Sequence, residues 1–140
     1  MAGYTGTPLA TKLGVKPKHR VALLGQAGDV IGPELADDPM LLATLVLRTD
    51  LRGTKPYDVI AVLAEKSSDM SRRARRCRDR LGVEGMLWLG WPKKSSGVAT
   101  DLSDGVVREL GLGLGLVDNK TCAIDDTWSG LRFVRRLEDR

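Results

Sequence analysis

Two stretches of the chain are apolar without polar alternation, residues 57–64 (core Val59-Ile60-Ala61-Val62-Leu63-Ala64) and 86–91 (Met86-Leu87-Trp88-Leu89-Gly90-Trp91). Continuous apolarity over such short runs is what parallel strands covered on both faces require. Between them, Met70, Ala74, Cys77 and Leu81 recur at the spacing of one helical face, which predicts a helix over 67–81 with Gly82 as its C-cap. A shorter aliphatic run at 20–24 reads as an earlier strand, and Gly25-Gln26-Ala27-Gly28 after it as a loop. Thr7-Pro8 opens a short helix ended by Gly14, a second short helix is expected over 31–37, and Asp38-Pro39 breaks it. Residues 43–48 are read as a strand because turn chemistry follows at 50–55. A further helix over 100–110 turns Leu102, Val106, Val107 and Leu110 inward, and the glycines of 111–115 end it. Runs at 116–123 and 131–137 then pair as a hairpin about Asp125-Asp126-Thr127-Trp128. Strands alternating with helices and closed by a hairpin predict an α/β fold: a three-layer, mostly parallel, Rossmann-like sheet with a C-terminal antiparallel hairpin.

A length of 140 residues is one ordinary domain, 1–140, able to bury a core without metal or disulfides. No apolar run approaches the roughly 18 residues needed to cross a bilayer, so no membrane association is expected. Residues 1–11 have neither a basic n-region nor an apolar h-region, and a cytoplasmic location follows as the expectation. Cys77 and Cys122 form no CxxC and read as small buried hydrophobes.

The net charge of +4 is unevenly placed. Between Glu65 and Gly82 seven bases face three acids, which is the whole excess. Arg72, Arg73, Arg75, Arg76 and Arg80 therefore form a basic patch on one helix, suited to meeting phosphates. Asp69–Arg73 and Arg75–Asp79 are helix-compatible pairs that partly neutralise it. The stretch 57–90 holds only Tyr57 and Trp88 as aromatics, so base stacking is unsupported and a solvated basic face is the leading reading. A nucleic-acid or acidic protein partner stands behind it, and the sequence is compatible with a homodimer.

The strongest local candidate for chemistry is Trp91-Pro92-Lys93-Lys94-Ser95-Ser96-Gly97, just past the carboxyl end of a central strand, where open α/β sheets bind ligands. Lys93 and Lys94 bring cations and Ser95 and Ser96 hydroxyls, which suit phosphate or carboxylate. Asp125 and Asp126 read as ordinary turn chemistry rather than a metal site. His19 is the only histidine and no GxSxG occurs, which argues against a Ser-His-Asp triad. No catalytic or metal-ligating residue is assigned.

The strings Gly6-Thr-Pro-Leu, Trp91-Pro-Lys-Lys-Ser-Ser-Gly97, Thr100-Asp-Leu and Cys122-Ala-Ile-Asp-Asp-Thr-Trp-Ser-Gly-Leu-Arg-Phe-Val134 resemble the bacterial family DUF3052, along nearly the whole chain. That resemblance implies no activity. The element order also resembles a shortened class I S-adenosylmethionine-dependent methyltransferase, which implies strand order 2-1-3-4-6-5 with the sixth strand antiparallel. Against that family's pattern, Val21-Ala-Leu-Leu-Gly-Gln-Ala-Gly28 keeps Gly25 and Gly28 but lacks GxGxG spacing and an acid in the strand. Asp50 falls where such folds place a carboxylate for ribose hydroxyls. The resemblance implies a chain shorter than a full enzyme of that class by roughly one strand–helix unit.

The leading reading is a non-catalytic cytoplasmic protein of DUF3052 type, binding a small anionic or nucleotide-like ligand of unspecified identity. Its site would lie at the carboxyl edge of the sheet, among Gly25, Gln26, Gly28, Asp50, Glu65, Trp91, Lys93, Lys94, Ser95 and Ser96. The alternatives are a divergent methyltransferase-like S-adenosylmethionine binder with a degenerate motif, and an adaptor acting through the basic helix 67–81.

Overall fold

The computed structural model describes residues 7–140, so Gly6 of the first quoted string lies outside them. The chain runs α1 (Leu9–Leu13), β1 (Arg20–Gly25), α2 (Ala27–Ala36), α3 (Pro39–Thr44), β2 (Val46–Arg48) and β3 (Tyr57–Leu63). It continues α4 (Ser67–Arg80), β4 (Leu81–Pro92), α5 (Asp104–Gly113), β5 (Leu116–Ala123) and β6 (Trp128–Arg135), with short 3-10 turns at Lys94–Ser96 and Leu137–Asp139. One six-stranded sheet holds them in the order β2-β1-β3-β4-β6-β5. β1 to β4 are mutually parallel, and β6 runs antiparallel to both neighbours. The architecture and strand order are those expected.

The two faces of β1, β3 and β4 are both covered. On one face Ala22, Leu24, Ile60, Val62, Leu87 and Leu89 pack with Met70, Ala74 and Cys77 of α4, Val107 of α5, and Phe133 of β6. On the other, Val21, Leu23, Val59, Ala61, Leu63 and Trp88 pack with Leu9 and Leu13 of α1 and with Ala27, Ile31 and Leu35 of α2. The buried Trp88 indole donates to Leu13 O at 2.9 Å, which satisfies its one donor and ties α1 to the sheet.

Several boundaries differ from the sequence expectation. The Gly25–Gly28 stretch is not a loop, because α2 starts at Ala27, immediately after the strand. Residues 39–44 are a helix, initiated by Pro39 and capped by Asp38 Oδ1 accepting from Leu41 N at 3.0 Å, which leaves β2 only three residues. Gly82 does not cap α4. The chain passes from Arg80 directly into β4, which starts at Leu81 and carries a bulge opposite Tyr57–Val59. α5 begins four residues later than expected, where Ser103 Oγ accepts from Val106 N, and Val106 is exposed rather than inward. β6 begins at Trp128, whose ring is buried.

α5 lies close enough to the sheet that a side chain at Gly111 has no room. An alanine Cβ there would sit 2.0 Å from the buried Phe133 ring, whereas none of the atoms around Gly113 lies within 4 Å of such a Cβ. Gly111→Ala is expected to destabilise the fold by about 1–3 kcal/mol through overpacking, and Gly113→Ala to gain up to about 1 kcal/mol from helix propensity. Urea unfolding followed by circular dichroism separates them. Equal stability of both variants would mean that α5 is not seated on Phe133.

Candidate functional site

The connection after β1 passes to one face of the sheet and the connection after β3 to the other, because α2 and α4 belong to opposite core layers. A crevice must therefore open between the carboxyl ends of these adjacent strands. The structure has one there. A cleft of about 350 Å³ is lined by Gly25, Gln26, Leu63, Glu65, Lys66, Asp69 and Arg73.

Each wall follows from local structure. Gly25 turns at φ +63, and a Cβ would lie 2.4 Å from Leu63 O, so only glycine fits. Its next neighbour, Gln26, donates its amide N–H to the same Leu63 O at 2.9 Å. That clamps the start of α2 against the end of β3. Across the cleft the Gln26 Nε2 donates to Glu65 Oε2 at 2.9 Å. Asp69, in the first turn of α4, accepts from Arg72 at 2.5 Å and from Arg73 Nε at 3.1 Å. The cleft thus carries two carboxylates and two cations, of which Asp69 and Arg73 already hold each other.

The α4 end of the site is held by a residue the sequence reading did not single out, Asp101. Its Oδ1 accepts from Ser67 N at 2.8 Å and its Oδ2 from the Ser67 hydroxyl at 2.6 Å. Beside it the Thr100 hydroxyl donates to Glu65 O. The segment after β4 therefore returns to the end of β3 and caps α4 from outside. The Thr-Asp-Leu string was the only signal for it. Asp69 enters the sequence reading only as the helix partner of Arg73, and the register of α4 places it in the cleft.

The sequence-predicted residues divide among several places. Gly25, Gln26 and Glu65 meet in the cleft. Asp50 lines an adjoining cavity of about 110 Å³ with Leu24, Thr49, Leu51, Arg73 and Arg76. Its Oδ1 accepts from Arg52 N at 3.0 Å, a turn bond within its own loop. Gly28 is in the first turn of α2 with open space around it. Trp91 is buried in the core. The Lys93 amide donates to Thr127 O at 2.7 Å and the Ser96 hydroxyl to Lys93 O at 2.6 Å. The turn bearing Lys93, Lys94, Ser95 and Ser96 thus stands beside the hairpin, outside the cleft lining. Asp125 Oδ1 accepts from Thr127 N and Trp128 N at 2.8 and 2.7 Å, the bonds of a turn. No group of three metal-ligating side chains occurs among the described residues, and no helix there is long and apolar enough to cross a membrane.

Along α4, Arg72, Arg75 and Arg76 are exposed. Arg80 is used differently: its guanidinium donates to Leu51 O and, at 2.7 Å, to Lys55 O, and lies 5.3 Å from the Tyr57 ring. It fastens the loop between β2 and β3. Burial pushes the Cys77 thiol up to about 12 against the pull of Arg73 and Arg76, so it stays protonated at neutral pH.

No family model matches the chain, so its resemblance to DUF3052 rests on the quoted strings. No curated protein matches it either. Among solved structures it is similar to a TehB-like SAM-dependent methyltransferase from Corynebacterium glutamicum, at TM-score 0.59 and 13% identity over 96% of this chain and 91% of that one. It is similar to a SAM-dependent methyltransferase from Aquifex aeolicus at TM-score 0.62 and 11% identity, over 89% and 86% of the two chains. Magnesium protoporphyrin IX methyltransferase from Synechocystis, solved with bound SAH, gives TM-score 0.59 and 14% identity over 91% and 78%. The chain has the methyltransferase-like Rossmann fold. At these identities the likeness is one of fold.

The Ser67 hydroxyl, and after it the Ser67 amide, hold the Asp101 carboxyl below its ordinary value of 3.8. A carboxyl whose folded pKa is depressed stabilises the fold above its unfolded pKa, and that contribution is lost as pH falls through the folded one. Thermal melts of the natural chain and of Asp101→Asn are expected to differ by a full gap above pH 3.8 and to draw together progressively as pH falls below it. A constant gap at all pH values would contradict the cap.

Proposed function

We propose that the chain is a methyltransferase-like binder of S-adenosylmethionine, with the ligand in the cleft between the ends of β1 and β3. The observation that carries this reading is the cleft's place at the switch point of a sheet with this strand order. Its volume of about 350 Å³ falls in the usual range for small-ligand sites, roughly 300–1,000 Å³. The amino-acid end of the ligand carries an ammonium and a carboxylate. Glu65 suits the first and Lys66 the second, and the first-turn amides of α2 open at the same edge. When bound, the cofactor supplies an electrophilic methyl group on a sulfonium.

Within the cleft the protein's own groups bind and orient. Glu65 is preset by its bond from Gln26, Arg73 is preset by Asp69, and Asp101 fixes the α4 terminus that carries both Lys66 and Asp69. Asp50 lies outside this lining, in the adjoining cavity of about 110 Å³.

A second reading is favoured by one contact. The 2.9 Å bond from Gln26 to Glu65 spans the cleft, and an adenosyl group would have to open it. A cytoplasmic, DUF3052-type protein holding a smaller anionic ligand there, without catalysis, leaves that bond intact.

Titration calorimetry of the full chain with S-adenosylmethionine decides between the two. A saturable single-site isotherm is expected, with Lys66→Glu weakening it at least tenfold while the melting temperature is unchanged, since Lys66 is exposed. No heat and no thermal shift at millimolar ligand removes the first reading.

A further inference from the structure

Six arginines lie on α4, and most are accounted for by neighbours. Arg72 and Arg73 share Asp69, Arg75 donates to the Ser71 hydroxyl, Arg78 stands 3.9 Å from Asp79, and Arg80 clamps the β2–β3 loop. Arg76 makes no hydrogen bond or ion pair among the described residues. It lies one helical turn from Arg73, so both guanidinium groups reach the same side of the helix.

That side is concave. Arg73 and Arg76 line the cavity of about 110 Å³ beneath the end of β2, with Thr49, Asp50, Leu24 and Leu51. The volume is well below the roughly 300 Å³ at which small-molecule pockets begin, yet leaves room for one tetrahedral oxyanion. The single acid in the lining is occupied: Asp50 Oδ1 accepts from Arg52 N at 3.0 Å and Oδ2 lies 3.6 Å from Arg52 Nε. Asp69 likewise holds Arg73, so the cation with no hydrogen bond or ion pair among the described residues is Arg76, with Arg73 beside it in a lining that also includes Thr49. The buried Cys77 thiol below senses the same two positive charges.

We propose that this cavity is a phosphate subsite, in which Arg73 and Arg76 grip the phosphoryl group of a phosphorylated ligand. Guanidinium pairs match the planar oxygen edges of phosphate and stay charged at any physiological pH. Because Arg73 also lines the larger cleft, a molecule held here by its phosphate lies with its remainder toward that cleft. S-adenosylmethionine has no phosphate, so the subsite belongs to a second ligand and stands or falls apart from the cofactor. The hollow of about 510 Å³ lined by Arg78, Arg135 and Asp139 offers no such grip. Its Arg135 donates through Nη2 to Arg78 O and Leu81 O, at 3.0 and 2.7 Å, and Asp139 places a carboxylate in the same lining.

Inorganic phosphate is the probe, titrated into the full chain by calorimetry in phosphate-free buffer. Saturable binding in the millimolar range is expected. Arg76→Glu should weaken it at least tenfold without lowering the melting temperature of the phosphate-free protein, and Arg136→Glu, an equal charge change at an exposed distant arginine, should leave it intact. Arg76→Glu should also bind S-adenosylmethionine as the natural chain does, so that failure of one ligand is distinguishable from failure of the other. Absence of saturable phosphate binding, or equal loss in Arg76→Glu and Arg136→Glu, overturns the proposal.

Discussion

Two-sided burial of β1, β3 and β4 is the constraint from which the rest of the molecule follows. A strand segment whose consecutive side chains are all apolar must be covered above and below, and its backbone must find its hydrogen bonds in the sheet. Val59 to Leu63 are at most 1% exposed on either face. One connection must then pack on each side, and α2 and α4 do so from neighbouring strands. The opening between the ends of β1 and β3 is a consequence of that division rather than a separate feature.

Side chains then shape what topology leaves open. Gly25 allows Leu63 O to approach where any other residue would collide. Asp101 and Thr100, from the far side of β4, bind the end of β3 and the first turn of α4, so the cleft wall is braced from outside. The basic helix turns out to divide its labour. Arg80 is a clamp for the loop after the three-residue strand β2, Arg73 is shared between two concavities, and Arg76 lines the smaller one with no hydrogen bond or ion pair among the described residues.

The sheet was legible because its signal is strong at each strand. The apolar runs at 57–64 and 86–91 become β3 and the buried end of β4, and 116–123 becomes β5. The stripe Met70, Ala74, Cys77 and Leu81 is buried throughout. What escaped was local competition. Leu41, Leu42 and Leu45 suit either a helix or a strand, and the Asp38 cap with Pro39 tips 39–44 to helix. Gly25-Gln26-Ala27-Gly28 carries loop composition, yet the Gln26 amide bond to Leu63 O starts the helix at once. The candidate site was half legible. Gly25, Gln26 and Glu65 follow from strand ends, whereas the separation of Lys93 to Ser96 from them depends on the hairpin partner Thr127 across a sheet register no spacing reveals.

Amide hydrogen exchange on the full chain, with and without saturating S-adenosylmethionine, tests the central claim most directly. The account predicts slowed exchange confined to the start of α2 and the β3–α4 junction, around residues 26–30 and 64–70, with the Lys94–Ser96 turn unaffected. Protection centred on that turn, or none at any position, would contradict it.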